Sequence, residues 1–422
     1  MRKHLRSLVL YILKRLAKFR LRKFNGKVIV VTGSIGKTST KDAIFSVLNS
    51  KFKVKRNAKS MNSDFGILLT ILDIESGFSS VRKWSWFLMK GFFHSLFADH
   101  SDVLLLELGV DKPGDMDFLL SVVKPNIAIM TNIAEVHMEE GQFKTLKDIF
   151  EEKQKAVTAL GEEGIAILNL DDKFLNYLAK SRKRNKTITF GSSEDADYRF
   201  TTVKTSTEGT SFYLHSSDYK FQVKSSVLGT YQSYVLTPAV ICGHLMDMSD
   251  EEILIALERY KLPPGRMSLI PAIEGATILD STYNSSPEAL KAALKLLDEI
   301  EAKRKVAVLG NMNELGEISE AKHRELGSFA AQSADLIITV GSEAKALAED
   351  ARERGHKAVF DFVNTAEAVD FYKDRIKNGD LILVKGSQNK VRLERFVKEF
   401  MLTPEDAKTL LVRQEKVWDL KI

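Results

Sequence analysis

The residues most able to do chemistry cluster at Gly33-Ser34-Ile-Gly36-Lys37-Thr38-Ser39. Glycines at 33 and 36 permit a tight turn whose backbone N–H groups face inward at an anion. Lys37 is spaced to reach the β- and γ-phosphates of a nucleotide, and the Thr38 hydroxyl to ligate Mg²⁺. The full phosphate-loop spacing would put glycine at 31, where this chain has Val31. Nucleotide binding is expected over the plainer alternative of a strand-to-helix turn. Two further residues bear on it. Glu107 ends the apolar run from Asp102, a place from which a carboxylate beside a phosphate loop can hold Mg²⁺. His137 follows the run Asn126–Asn132. A lone histidine is more often structural, but two strands ending on Glu and His near one another favour a shared site.

These groups need elements to position them. Val28–Val31 is four β-branched or apolar residues in a row, as expected of a buried strand. Lys37–Asn49 repeats its apolar residues at helical spacing, so the loop closes on a helix N-terminus, where unpaired amides and the helix dipole favour negative charge. Phe143–Leu160 is expected to be a helix carrying Lys153. The apolar segment after Asn62–Gly66 fits either helix or strand. Short alternating runs between Lys186 and Leu228 predict a small β-meander. Leu262-Pro-Pro-Gly265 is the best linker, since two prolines forbid a helix. Beyond it, strands at Val306, Leu336 and Leu381 each end on glycine, with helices between and after them. The expected fold is therefore α/β: a P-loop ATPase-type central domain with a mostly parallel sheet and small meander, then a Rossmann-like C-terminal domain. The expected boundaries are 1–26 for a basic amphipathic helix, 27–262 for the central domain and 263–422 for the last.

Composition narrows the partners. The net charge of +6 comes from the N-terminus: residues 1–27 hold ten Lys and Arg and no acid, leaving 52 basic and 56 acidic residues elsewhere. No basic patch with interleaved aromatics follows, so nucleic acid is not expected as a partner. Residues 1–24 place Leu5, Leu8, Val9, Ile12, Leu16 and Phe19 on one stripe among basic residues, a pattern suited to an anionic membrane surface or to packing on its own domain. The longest uncharged run there, Ser7–Leu13, is too short to span a bilayer, and no secretory-type cleavage site follows. Trp84–Phe97 is dense in aromatics; core packing is the ordinary expectation and a second membrane-facing surface the sharper one. The single cysteine, Cys242, excludes an internal disulfide framework.

Taken in order, the motifs resemble the Mur ligase family from about Lys27 to Gln414. The resemblance rests on Thr32–Ser39, Glu107-Leu-Gly with Lys112-Pro-Gly-Asp115, Thr131–His137, Asn169–Asp172, Pro263–Met267, Asp280–Asn284 with Pro287, Leu309–Glu317 with His323, Lys385–Ser387 and Leu411–Gln414. It implies ATP and Mg²⁺ as cofactors and amide-bond formation through an acyl phosphate, in peptidoglycan precursor synthesis. Adding D-alanyl-D-alanine to a muramoyl tripeptide is the implied reaction. By the same resemblance Gly33 through Ser39 bind the nucleotide, and Thr38, Glu107 and His137 serve metal. Lys153 matches a carbamylated lysine that helps bind a second Mg²⁺, so Lys37, His137 and Lys153 are the implied catalytic residues. Arg266, Asp280, Tyr283 and Asn284 approach the nucleotide from the C-terminal domain. The family's N-terminal UDP-binding domain has no counterpart in these motifs, Asn311 stands where an aspartate is common, and Gly229–Tyr234 replaces the usual segment near adenine. A cytoplasmic location follows, with peripheral contact at the inner membrane face. The alternatives are a ligase with another acceptor, of the folylpolyglutamate or polyglutamate type, and a non-catalytic membrane-associated nucleotide-binding scaffold.

Overall fold

The computed structural model describes residues 3–57, 61–77, 80–136, 138, 141–183, 186–206, 208–217, 220–388, 391–415 and 418, without the side chains of residues 3, 4 and 81. The first half runs α1 (Lys3–Leu21), β1 (Lys27–Thr32), α2 (Lys37–Leu48), β2 (Val54–Arg56), α3 (Asp64–Leu72), α4 (Val81–Leu96), β3 (Val103–Glu107), α5 (Asp115–Leu120) and β4 (Ile127–Met130). It continues through α6 (Leu146–Lys153), α7 (Lys155–Thr158), β5 (Ile165–Asn169), α8 (Lys173–Ser181), β6 (Thr187–Gly191), β7 (Tyr198–Ser206), β8 (Gly209–His215), β9 (Lys220–Ser225), α9 (Gln232–His244) and α10 (Asp250–Glu258). Its strands form one nine-stranded sheet in the order β2-β3-β1-β4-β5-β6-β7-β8-β9. Pairing is parallel as far as β7 and antiparallel across β7, β8 and β9. The meander expected from Lys186 is thus the edge of the main sheet, joined where Phe190 lies opposite Tyr198.

β1 lies between β3 and β4, with Val31 in register with both Glu107 and Ile129. The chain reverses its strand order here, and the crevice beyond the carboxyl ends is where open α/β sheets bind ligands. β1 is buried on both faces, as parallel strands are. Val28 and Val30 pack beneath α1, α3 and α5, whereas Ile29 and Val31 pack beneath α2, α9 and α10.

α1 is clamped to this sheet by charge as well as by Val9, Leu13 and Ala17. Buried Arg20 donates to the Ile71 carbonyl at 2.7 Å and pairs with Asp73 at 2.8 Å and Asp99 at 3.4 Å. Lys55 Nζ joins the same two carboxylates at 2.7 and 2.6 Å. Burial pushes Asp99 up, but hydrogen bonds from Lys55 and Ser101 win and hold it down at about 2.

The second half runs β10 (Ser268–Pro271), β11 (Thr277–Ser281), α11 (Pro287–Glu299), β12 (Arg304–Gly310), α12 (Ser319–Ser333), β13 (Leu336–Val340), α13 (Lys345–Glu353), β14 (Val359–Phe362), α14 (Thr365–Lys373), β15 (Asp380–Lys385), α15 (Glu394–Phe400) and α16 (Ala407–Leu410). Its sheet has the order β10-β11-β15-β12-β13-β14, parallel except for the β10–β11 pair. The fold class is the α/β type expected, with two mostly parallel sheets in sequence.

Local expectations differ in three places. The helix expected over Phe143–Leu160 starts only at Leu146, where a Thr145–Asp148 capping box fixes its N-terminus, and is interrupted at Gln154 between α6 and α7. The ambiguous segment after Asn62 is helix α3, buried on nearly every side, which erases the periodicity that would have marked it. Core packing for the Trp84–Phe97 aromatics holds for buried Trp84 and for half-buried Phe87, which packs against the core; Trp86, Phe92 and Phe93 on α4 and Phe97 just after it are exposed.

Candidate active site

The loop between β1 and α2 is shaped by backbone freedom and by β4's continuation. Gly33 has φ of 138°, and a Cβ there would sit 2.1 Å from the Thr131 hydroxyl; Gly36, at φ of 80°, caps α2 in the left-handed region. Only glycine takes both positions without strain. The loop is bolted to its neighbour: Thr131 Oγ1 donates to the Ile35 carbonyl at 2.6 Å, Ile35 N–H to Asn132 Oδ1 at 2.8 Å, and Ala134 N–H to Ser34 Oγ at 2.9 Å. Lys37 Nζ, half-buried, lies back on the Ser34 carbonyl at 2.9 Å. Burial lowers its pKa, with Glu107 opposing that and Arg266 adding to it. Thr38 is partly accessible at the first turn of α2, whereas Ser39 is buried and its carbonyl accepts from Tyr260 Oη at 2.9 Å.

Glu107 lies at the floor of this crevice. It is 2 % exposed; Oε1 accepts from Asn62 Nδ2 at 2.9 Å, and Oε2 has no hydrogen bond. The buried ammonium of Lys41, one helical turn beyond Lys37, is 3.5 Å from that oxygen and donates to the Asn57 carbonyl at 2.9 Å. Asn57 in turn brackets the Glu107 backbone, accepting from its N–H and donating to its carbonyl. Lys153, the last residue of α6, is fully buried with no partner for Nζ. Burial lowers its pKa well below the ordinary lysine value, and nearby Lys37 lowers it further against the pull of Asp111, Glu152 and Glu107. Burial without a hydrogen-bond partner disfavours the charged form of this nitrogen. The free oxygen of Glu107 and the Thr38 hydroxyl are hard donors of the kind Mg²⁺ takes. His137 lies outside the described residues; among those described, no group of three His, Cys, Asp or Glu forms a metal cluster.

The second half supplies the opposite wall. Arg266 stacks over the Tyr283 ring at 4.1 Å, and Tyr283 N–H donates to Gly265 O at 3.1 Å. Asp280 is fully buried at the end of β11. Oδ1 accepts from the Thr282 hydroxyl and N–H, Oδ2 is without a hydrogen bond, and burial pushes the carboxyl up to about 6. Buried Lys385, across β15, donates to Asn284 O at 2.9 Å and Ser281 Oγ at 3.2 Å, and burial lowers it to about 7. Asn284 is exposed and its side-chain oxygen accepts from the N–H of Ser285. Between the walls lies a cavity of about 1170 Å³ reaching from Thr38 and Asp42 to Arg266, Tyr283 and Arg413. Away from this cavity the two halves also meet where Lys322 pairs with Glu135 at 2.9 Å and Met138 N–H donates to Glu314 O at 3.1 Å.

A phosphate-type loop, a buried acid and lysine beside it, and a second sheet facing them match known family models in this order: Mur ligase middle domain over residues 31–243, and Mur ligase glutamate ligase domain over 265–388. The chain belongs to the Mur ligase family. This Mur ligase is 29% identical over 395 residues to the UDP-N-acetylmuramoyl-tripeptide–D-alanyl-D-alanine ligase of Bacillus subtilis, covering 93% of this chain and 79% of the relative. Among solved structures, a MurF ligase from Thermotoga maritima in complex with ADP superposes with a TM-score of 0.76 at 28% identity, over 92% of this chain and 82% of that one. MurF from Acinetobacter baumannii gives 0.78 at 25% identity, over 92% and 79%.

Sequence reasoning passed over Lys41, Asn57 and Asn62 in the Mur ligase floor. Lys41 carried a legible signal, a second lysine four residues after Lys37 and so on the same helix face. The two asparagines carried none, because their roles depend on a loop from another part of the sheet edge.

Proposed function

We propose that this Mur ligase forms an amide bond at the expense of ATP, adding D-alanyl-D-alanine to a muramoyl tripeptide in peptidoglycan precursor synthesis. The observation that carries the reading is convergence: Lys37, Glu107 and Lys153, far apart in sequence, lie within electrostatic reach of one another, with Arg266 of the second half facing Lys37. Gly33, Ser34, Gly36, Lys37, Thr38 and Ser39 form the phosphate cradle, in which Ser39 contributes through the buried turn. Arg266, Asp280, Tyr283 and Asn284 serve the nucleoside side, Asp280 through the oxygen that has no partner. Thr38, Glu107, His137 and Lys153 are assigned to Mg²⁺, which when bound offsets charge on the phosphates. The domain division that goes with this assignment is 1–26, 27–262 and 263–422.

The acceptor's carboxylate attacks the γ-phosphorus, ADP leaves, and an acyl phosphate forms. Lys37 swings from the Ser34 carbonyl to the transferring oxygens and stabilises their charge. The incoming amine then adds to the acyl carbon, expels inorganic phosphate and loses a proton to give the amide. Closure of the second sheet over the first keeps water from the acyl phosphate. Lys153 is placed to react with CO₂: its nitrogen bonds the carbon and gives up one proton to solvent, and the carbamate would offer two anionic oxygens to nearby Lys37 and to Mg²⁺.

The ligase works in the cytoplasm, with residues 1–24 holding it against the anionic inner face of the membrane; Arg15 and Arg22 of that segment are exposed. The test is ADP and phosphate release by the full chain with ATP, a muramoyl tripeptide and D-alanyl-D-alanine. Product of the combined mass with one phosphate per bond is expected. Turnover with glutamate and a folate acceptor, and none with the dipeptide, would replace this substrate by the folylpolyglutamate type.

A further inference from the structure

α1 and α4 lie side by side over α3 and show to solvent what a water-facing helix hides. Trp86, Met89 and Phe93 on α4, and Phe97 just after it, are exposed, with Trp86 at 60 %, Phe93 at 53 % and Phe97 at 69 %. So are Phe92 and Leu96. On α1, Leu8, Tyr11 and Phe19 are exposed in line with Arg15. The two helices, with Phe97 immediately after α4, therefore hold nine of the seventeen large apolar side chains that are exposed among the described residues. Scattered singly, such residues need no explanation; gathered on two adjoining helices they mark a contact surface.

Charge selects the occupant. Neither helix contains an aspartate or glutamate, and Arg6, Arg15, Arg82 and Lys83 are exposed on them, with Arg22 just beyond α1. Lys23 Nζ caps α4 by donating to Leu96 O at 2.8 Å and stands over the Phe19 ring at 4.1 Å, so the two exposed sets share one end. A second copy of the chain on this face would set cations against cations in a two-fold contact. Aromatic rings between outward Arg and Lys are instead what the headgroup layer of an anionic bilayer receives, rings in the acyl boundary and cations among phosphates. No helix among the described residues is long and apolar enough to cross a membrane, so the contact lies in the plane of the surface.

We infer that the outward faces of α1 and α4 together form a docking platform for an anionic lipid bilayer, with the α4 aromatics as its inserting part. This deepens the membrane contact proposed for residues 1–24 and does not depend on the ligase reading. The platform is also oriented. Arg6, near the start of α1, pairs with Asp64 at 3.4 Å, and Trp84, near the start of α4, packs on Phe65. Asp64 and Phe65 open α3, two and three residues after Asn62, which holds Glu107. One end of the platform is therefore tied to the start of α3, close in sequence to the asparagine that holds Glu107.

The test mixes the full chain with sedimenting vesicles of phosphatidylglycerol and phosphatidylcholine, or of phosphatidylcholine alone, and follows bound protein and tryptophan emission. The expected result is binding to the anionic vesicles with a blue-shifted emission. A Trp86→Ser, Phe93→Ser, Phe97→Ser variant should bind at least tenfold more weakly yet turn over soluble substrates at the normal rate, since none of the three enters the cleft. Arg15→Glu with Arg22→Glu should make binding weaker and less selective for anionic lipid. If the native chain stays in solution with anionic vesicles at low salt, the membrane contact fails altogether while the ligase assay still stands or falls by itself. If the triple variant binds as the native chain does, the contact belongs to α1 alone and the platform is wrong. A dimer in the absence of vesicles that the triple variant converts to monomer would make the face an interface between copies and overturn the lipid assignment.

Discussion

Two wholly buried lysines flank Glu107, and they live in opposite surroundings. Lys41, inside α2, has a carbonyl at 2.9 Å and a carboxylate oxygen at 3.5 Å. Lys153, where α6 stops, has no hydrogen-bond partner and another cation, Lys37, within electrostatic range. The first has partners for its polar head; the second has none, and burial disfavours its charged form. Burial alone does not tell a structural lysine from a reactive one, whereas the partner list does.

The contrast can be broken by substitution. The largest expected effect is on turnover: Lys153→Ala should lower the rate of ADP formation on the order of 10³-fold while the protein stays folded. Lys153→Met should be at least as stable as the native chain at neutral pH. The unmodified lysine is lowered from 10.5, so the unfolded chain binds the extra proton and native stability rises with pH up to the ordinary lysine range. The methionine variant should lose that slope in urea titrations. Lys41→Met should do the reverse, costing about 3–5 kcal/mol, because it leaves the Glu107 carboxylate buried without its cation. Equal losses from the two methionine variants would sink the distinction.

A smaller effect extends the comparison to the second half. Asp280, raised from 3.8 to about 6, is a carboxylate treated as Lys153 is, by burial against its charge. Its stabilising contribution is complete below pH 3.8 and is lost as pH rises through about 6, with an amplitude of about 2–3 kcal/mol. Asp280→Asn should flatten that part of the stability curve and raise the KM for ATP with little change in unfolding cooperativity. The smallest effect belongs to a surface pair between the halves: Lys322→Ala, removing the partly exposed contact with Glu135, should cost less than about 1 kcal/mol in unfolding titrations.

What could be read from the chain followed the range of the forces involved. β1, the glycine turn and the start of α2 were legible because strand propensity, backbone freedom and helix phase are local. The parallel strands at Leu336 and Leu381 were legible as continuous apolar runs, but β10 and β14, four-residue strands at the margins of their sheet, were not, nor was β11, whose apolar run is only Ile278 and Leu279 before Asp280 and Ser281. Helix α11 was hidden behind the Asp280–Asn284 motif despite its Ser286 cap and Pro287 at the first turn. Lys153 was identified through resemblance, and only packing explains its chemistry. The aromatic run of α4 reads as core from composition; which side of a helix faces inward depends on what packs there, and α3 takes only the Trp84 side.

The Arg20 clamp on Asp73 and Asp99 has a mechanical corollary. A first helix welded to the sheet edge is no leash that can be paid out; it fixes the height of the reaction centre above whatever surface the helix rests on. An acceptor whose reacting carboxylate projects too far or too little from its anchor would miss the centre however well its chemistry matched, so the molecule would gauge the length of its substrate as well as recognise its groups.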